Sequence, residues 1–205
     1  MSFLGRSIAF FPALLITCIL LCLIMLSYKP SISILLLLFF IIYIFPPIIH
    51  RIHQYFYPIE EGISYLVGSE YSPWWGSHQL QVFYSTFPMF EQLLLFFPGA
   101  FSLWLRLWGA KIGKNIYWTS GIQVVDRSLL IVGDNVIFGG QVTICSHIIK
   151  PRRNNLLLYV KTIEIGNNVF LGARSSIGAG SKIPDNEYIP FAQQIYPKNR
   201  LSYQK

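Results

Sequence analysis

At 205 residues the chain is too long for a peptide and short for two independent soluble globules. Hydrophobic residues make up 53% and charged residues 12%, against ~25% charged in an ordinary soluble domain; disorder is excluded, and a wholly soluble protein is a poor fit. Lys and Arg number 16 against 9 Asp and Glu, a formal charge of +7, which suits a membrane surface, a phosphorylated ligand or nucleic acid.

In chain order, the first element is an uncharged run from Ile8 to Leu26. A turn at Ser27-Tyr28-Lys29-Pro30-Ser31 follows, then a second uncharged run, Ile32 to Ile49, closed by Pro46-Pro47. Each is close to the ~20 residues that cross hydrocarbon as a helix, and backbone amides in lipid must bond within their own segment. Residues 1–50 are expected to form a transmembrane helical hairpin (8–26 and 32–49). A buried core hairpin, or a signal peptide for the first run, is the alternative; Ser27-Tyr28-Lys29 offers no A-x-A cleavage pattern. Arg6 and Arg51 flank the runs and Lys29 marks the turn, a balance that puts both ends, and the domain that follows, in the cytoplasm. Cys18 and Cys22 lie inside the first run, so the three cysteines do not make a secreted disulfide framework.

Residues 51–109 are aromatic and sparsely charged, with Tyr55-Phe56-Tyr57, Trp74-Trp75, Phe96-Phe97, Trp104 and Trp108. Such rings suit a membrane interface. Phe90 to Trp108 reads as helix interrupted at Pro98-Gly99, lying in the interface or packed on the C-terminal domain. His50, His53, His78 and Glu60-Glu61 lack ligand spacing and are expected at the juxtamembrane surface.

From Ile112 a phrase recurs: Ile112-Gly113-Lys114-Asn115-Ile116, Val132-Gly133-Asp134-Asn135-Val136, Ile165-Gly166-Asn167-Asn168-Val169. Within it the period is six, with aliphatic residues at Ile165, Leu171, Ile177 and Ile183, and at Val132, Phe138 and Ile144. Six residues make one short strand and one turn, and three such units make a triangular coil. The aliphatic residue faces inward and stacks on its equivalents at strand spacing, ~4.8 Å, while Gly and Asn take corners where φ is positive. Gly recurs too often for helix. The pattern predicts a left-handed parallel β-helix over 110–190, against the usual right-handed crossover, with 191–205 as a C-terminal tail. Two interruptions are expected: extra residues at Leu130-Ile131, and an extruded loop at 150–158 that holds Pro151, Arg152 and Arg153. Loops on rigid scaffolds commonly carry function.

The stretch Gly133-Asp134-Asn135-Val136, Ser146-His147, the loop, and Lys161 through Ala173 resembles the hexapeptide-repeat O-acetyltransferases, of which the galactoside and exopolysaccharide types are nearest. The similarity covers about residues 110–190. The apolar part is more similar to membrane-attached members of that superfamily, including terminal domains of some peptide synthetase-like proteins. The resemblance implies an acyl-CoA-dependent enzyme, with acetyl-CoA or another acyl-CoA as co-substrate and no bound cofactor, assembled as a homotrimer with sites between prisms. It places the general base at His147, which precedes the loop. A neutral imidazole takes a hydroxyl proton as the oxygen attacks a thioester, and the oxyanion needs a positioned N–H; the resemblance implies the amide of Ala173, after Phe170-Leu171-Gly172. Gly172, Ala173, Gly178 and Ala179 are implied to cradle pantetheine, and Lys182, Arg174, Lys198 and Arg200 to meet CoA phosphates. Asp126 matches an acceptor-binding Asp, and Arg152 and Arg153 suit a phosphorylated acceptor. Gly121 stands where sugar acetyltransferases have an acceptor-binding Asn, Phe170 where they have Trp, and the prism is expected to end soon after Asn186.

Cys145 lacks a companion acid or base in sequence and reads as prism packing. Zinc in the carbonic-anhydrase variant of this fold needs three imidazoles; the repeat region has only His147, so no metal is expected. Basic residues are scattered, which argues against nucleic acid. The function expected is a membrane-anchored O-acyltransferase acting on a glycan or lipid-linked acceptor, with membrane lipid as partner. A non-catalytic membrane scaffold on the same prism is the alternative.

Overall fold

The computed structural model describes residues 2–197. Two compact units divide the chain. The first takes in the chain up to Glu60 together with Leu66–Phe83, the second Glu61–Tyr65 and the chain from Tyr84 onward.

In the first unit, α1 (Phe3–Ile8) and α2 (Phe11–Tyr28) form one apolar rod. Ser31 then caps α3 (Ile32–Tyr43), its hydroxyl accepting from the Ser33 N–H, which satisfies one of the donors that a helix start leaves open. The chain breaks at Ile44, and α4 (Phe45–Phe56) begins with Pro46 and Pro47 at its first positions. These prolines open a helix instead of closing a run, because the first turn has no N–H to lose. The spans Phe3–Tyr28 and Ile32–Phe56 each hold an 18-residue stretch of mean hydropathy 2.8, of which only 17% is buried. They are long and apolar enough to cross a membrane, and most of their apolar surface faces outward.

α4 corrects one expectation. His50 and His53 are buried. His50 Nε2 lies 2.8 Å from Ser77 Oγ, and His53 Nε2 hydrogen-bonds Tyr71 Oη. Burial of a polar ring is tolerated because each has found a partner. His78 stacks on Trp74, ring centroids 5.0 Å apart.

The second unit opens with β1 (Gly62–Tyr65). Then α5 (Pro73–Thr86) runs across the division of the chain, followed by α6 (Met89–Gln92), a 3₁₀ turn at Leu93–Phe96 and α7 (Ala100–Trp108). Gly99, at φ 79°, allows the sharp turn into α7. α7 packs on the C-terminal domain: Phe101 meets Trp118 edge-on, Ser102 accepts from Trp118 Nε1, and Arg106 donates to the carbonyls of Ile112 and Gly113. Beneath it, Glu91 and Arg127 form a bidentate ion pair of 2.6 and 2.7 Å. Trp104 Nε1 also donates to Glu91, and the guanidinium lies over Tyr84 and Trp108. The opposite surface keeps Leu93, Phe96, Phe97, Leu103 and Leu107 exposed.

The prism follows in four coils: β2 (Lys111–Ile112), β3 (Tyr117–Trp118) and β4 (Gln123–Val124); β5 (Leu130–Val132), β6 (Ile137–Phe138) and β7 (Thr143–Ile144); then, past the hairpin of β8 (His147–Arg152) and β9 (Asn155–Val160), β10 (Ile163–Ile165), β11 (Phe170–Leu171) and β12 (Ser176–Ile177); and last β13 (Lys182–Ile183), β14 (Tyr188–Ile189) and β15 (Gln194–Ile195). Equivalent strands pair in parallel to give three four-stranded faces. Val132, Phe138, Ile144, Ile165, Leu171, Ile177 and Ile183 are at most 5% exposed, as the period requires.

Three expectations shift. The prism does not stop after Asn186: β15 pairs with β12, so residues 194–195 belong to it and not to a tail. The extra residues of the first interruption are not Leu130-Ile131, which are strand, but the 3₁₀ turn Arg127–Leu129. The extruded segment is a β-hairpin over 147–160, and β1 adds to its β9 edge as a third antiparallel strand.

Candidate active site

The prism has three corners. The third, between the third face and the first, is where the coils differ. In the first coil it holds Val125, Asp126 and the 3₁₀ turn; in the second, Cys145, Ser146 and the hairpin; in the third, Gly178 to Ser181. Register sets the meeting. Val124 pairs with Ile144, so two residues later Asp126 lies against Ser146 and next to His147.

Asp126 is 3% exposed. Its Oδ2 accepts from the Ser146 N–H at 3.0 Å and lies 2.7 Å from His147 Nδ1. Ser146 Oγ in turn donates to the Leu129 carbonyl at 2.9 Å. The His147 side chain is 15% exposed, so the ring is held on one edge and reachable on another. Burial lowers its pKa; the hydrogen bonds to Asp126 and Cys145 and the negative charge of Asp126 raise it and prevail, leaving it at about 10. A carboxylate bonded to Nδ1 fixes ring orientation and tautomer and makes Nε2 the nitrogen that exchanges protons with a substrate, the arrangement of a base and its orienting acid.

Cys145 is not prism packing. Along β7 and its exit, Ile144 and Ser146 are buried while Cys145 is half-buried. Its Sγ lies 3.5 Å from His147 Nδ1 and 3.4 Å from the His147 carbonyl oxygen. Sequence reading missed this because alternation, not composition, decides which way a thiol points. It also gave Asp126 to the acceptor, whereas here the carboxylate engages His147 and the Ser146 amide.

The remaining expected residues are dispersed. Gly172 and Ala173 sit at the second corner, before β12, while His147 follows β7 on the same face; within one chain they flank opposite edges of that face. An open groove of about 290 Å³ runs along the second corner past Gly121, Gly140, Gln141, Ala173 and Arg174. Arg174 donates to Gln141 and lies over the Phe191 ring. Ala179 is fully buried, and the position of a Cβ on Gly178 falls 2.5 Å from the Tyr196 ring; neither offers an open surface to a ligand. Lys182 is exposed and paired with Glu164 at 2.8 Å. Arg152 and Arg153 are exposed at the hairpin tip. Arg152 lies five residue steps along β8 from His147, about 17 Å, too far to share one small acceptor. Lys198 and Arg200 lie outside the described residues.

No family model matches the chain. The galactoside O-acetyltransferase of Escherichia coli (strain K12) is 36% identical over 81 residues, which are 38% of this chain and 40% of that protein. The galactoside O-acetyltransferase of Lactococcus lactis subsp. lactis (strain IL1403) is 33% identical over 115 residues, with 44% and 55% covered. The delta-poly-L-ornithine synthetase of Acinetobacter baumannii (strain AB307-0294) is 32% identical over 100 residues, covering 49% of this chain and 7% of that one. The chain therefore spans about half or less of the length of these curated relatives. A solved galactoside acetyltransferase in complex with coenzyme A superimposes with TM-score 0.38 and 20% identity over 51% of this chain and 68% of that one.

Proposed function

We propose that this chain is a membrane-anchored, CoA-dependent O-acyltransferase that moves an acyl group, acetyl first among candidates, onto a hydroxyl of a glycan or lipid-linked acceptor, with His147 as general base. The observation that carries the reading is the buried Asp126 carboxylate bonded to Nδ1 of the half-buried His147; partial similarity of the chain to galactoside O-acetyltransferases supports it.

In this mechanism neutral His147 accepts the acceptor's hydroxyl proton on Nε2 while the oxygen attacks the thioester carbonyl. The tetrahedral intermediate is held by a backbone N–H, for which Ala173 is the candidate. Collapse breaks the carbon–sulfur bond, and the departing CoA thiolate takes the proton from the imidazolium. No electrons are exchanged and one proton is relayed. The raised pKa has two consequences. It makes the ring a stronger base, and it leaves the resting ring protonated at neutral pH, so the rate should climb with pH through the imidazole pKa.

Because Ala173 and His147 flank opposite edges of one face, a site that uses both needs a second copy, and a homotrimer with sites between prisms satisfies this. The open groove at the second corner is lined in part by the small residues Gly121, Gly140 and Ala173, which leaves room for an extended pantetheine arm. On this reading the two apolar spans hold the enzyme in the membrane, where confinement beside a lipid-linked acceptor raises its effective concentration; Arg6 and Arg51 favour the cytoplasmic side. Arg152 and Arg153 would meet a distal, anionic part of a long acceptor, and Lys182 the CoA phosphates.

The test is acetyl transfer and acetyl-CoA hydrolysis by the full chain in detergent, wild type against His147→Ala. Loss of the base should lower transfer by about 10²–10⁴-fold. Equal rates in both proteins would leave the prism as a scaffold.

A further inference from the structure

The third corner gathers more than a base and its orienting acid. Asp126, Cys145 and His147 offer one carboxylate oxygen, one sulfur and one imidazole nitrogen, all within 4.8 Å of one another. We propose that these three groups form a binding site for a borderline-soft divalent cation of the Zn²⁺ class, and that filling it switches off His147 as a base. The binding half stands on geometry alone; the switching half rests on the reading of His147 above.

The donor set and spacing argue for this class of ion. Around a tetrahedral zinc, with Zn–S near 2.3 Å and Zn–N and Zn–O near 2.0–2.2 Å, sulfur and nitrogen ligands lie ~3.6 Å apart and nitrogen and oxygen ~3.3 Å apart. Cys145 Sγ and His147 Nδ1 are already 3.5 Å apart. The Asp126 Oδ2 to Nδ1 distance of 2.7 Å must open by ~0.6 Å, a small side-chain rotation. Three protein ligands leave the fourth position open. A thiolate in the set disfavours Mg²⁺ and Ca²⁺, which prefer all-oxygen shells. The shell behind is in place, since the Ser146 N–H already steadies Oδ2 at 3.0 Å and such outer bonds set ligand orientation. The half-buried thiol and the partly exposed ring give the ion a way in.

The consequence follows from imidazole chemistry. An ion on Nδ1 takes the lone pair that the ring would otherwise direct there, and the thiol proton and the Nδ1 proton pass to solvent. The neutral ring then carries its remaining proton on Nε2. Nε2 becomes a donor and no longer accepts a proton from a hydroxyl. The site is thus a metal-operated brake set on the base itself, built with a cysteine that neither carries the acyl group nor takes the acceptor's proton.

The probe is Co²⁺ added to the purified full chain in detergent, followed by Zn²⁺ competition. The expected result is about one equivalent of Co²⁺ with thiolate-to-metal charge-transfer absorption, displaced by Zn²⁺ and not by Mg²⁺ or Ca²⁺. The band should vanish in Cys145→Ser, which keeps Cys18 and Cys22 as internal controls. It should weaken while retaining thiolate character in Asp126→Asn. In the transfer assay, Zn²⁺ should inhibit the wild type, a chelator should restore it, and Cys145→Ser should lose sensitivity relative to its own metal-free rate. Absence of the charge-transfer band, or a band that persists in Cys145→Ser, overturns the site. A cobalt site in a chain that shows no transfer activity leaves the metal site standing and sinks the acyltransferase reading. Inhibition without the band assigns the effect to another site.

Discussion

Two corners of the same prism are built on opposite rules. At the first corner every coil repeats itself. Asn115, Asn135, Asn168 and Asn186 all adopt φ between 55° and 62°, and their side chains bond one to the next at 3.0–3.1 Å. The residues before them form a second row: the Lys114 N–H donates to Asp134, the Asp134 N–H to Asn167 and the Asn167 N–H to Asp185. A Cβ on Gly133 would come within 2.8 Å of the Gly166 backbone, so a coil that has another stacked on it needs Gly there. Pro184 takes that place in the last coil, whose β13 is the edge strand of its face. At the third corner nothing repeats: a 3₁₀ turn, a hairpin and a short Gly-bearing turn follow one another. Where the repeat satisfies its own polar groups the residues are structural; where it breaks, one coil donates a carboxylate to the next coil's imidazole. The comparison is sharpened by perturbing each corner and reading stability apart from activity.

The largest effect on stability belongs to the scaffold of the third corner. The 3₁₀ turn after Asp126 is anchored by Arg127, whose guanidinium is 1% exposed and doubly bonded to Glu91. Arg127→Ala leaves the Glu91 carboxylate buried and without its cation, and loss of one partner of a buried pair costs about 3–5 kcal/mol. Denaturant unfolding of the full chain in detergent should show this loss. Replacing both partners together, Glu91→Leu with Arg127→Met, should restore much of it, because no buried charge is then stranded. A single-variant cost near zero would mean the pair is not what holds the turn.

Next comes Asp126→Asn, which tests the third corner's chemistry. An amide cannot stabilise the imidazolium as the carboxylate does, so the ring's pKa falls below its wild-type value while the lowering by burial stays. The acid limb of the pH–rate profile should move to lower pH, with a lower plateau because a weaker, less firmly held base remains. The sign for stability follows by linkage. A folded pKa of about 10, raised from the ordinary imidazole value of 6.5, stabilises the fold fully below pH ~6.5, and the contribution is lost as pH rises towards 10. Wild-type thermal stability should fall across that window, and Asp126→Asn should flatten the slope. An unmoved acid limb would separate the pair from catalysis.

How far the sequence reveals these two corners differs for a physical reason. The first corner is legible because its residues recur with the coil, so three copies of one phrase announce it; the fourth, Pro184-Asp185-Asn186, escapes because the last coil does not need the glycine. The third corner hides behind unequal turns. Yet the offset of 20 residues that carries Ile112 to Val132 also carries Asp126 to Ser146, so the Asp126–His147 meeting was available from register and not from motif. His50 and His53 were not available at all, since their partners Ser77 and Tyr71 lie 27 and 18 residues away with no period linking them. Glu91 offered a fainter signal, a single acid inside an apolar aromatic stretch. A carboxylate there demands a buried cation, and Arg127 supplies it.

The smallest effect is expected at the first corner and separates its two possible causes. Asn168 holds φ 55° and lies in the exposed side-chain row between Asn135 and Asn186. Ala at that φ meets the left-handed penalty of about 1–2 kcal/mol, whereas Gly adopts it without strain. Solvent-exposed hydrogen bonds exchange for water and contribute little net. Asn168→Ala should therefore destabilise by about 1–2 kcal/mol, and Asn168→Gly by clearly less. Both should transfer acyl groups at the wild-type rate, because no group of the third corner is touched. Equal losses for Ala and Gly would assign the stability to the ladder of amides instead of the backbone, and a drop in activity with either would erase the division between a structural and a chemical corner.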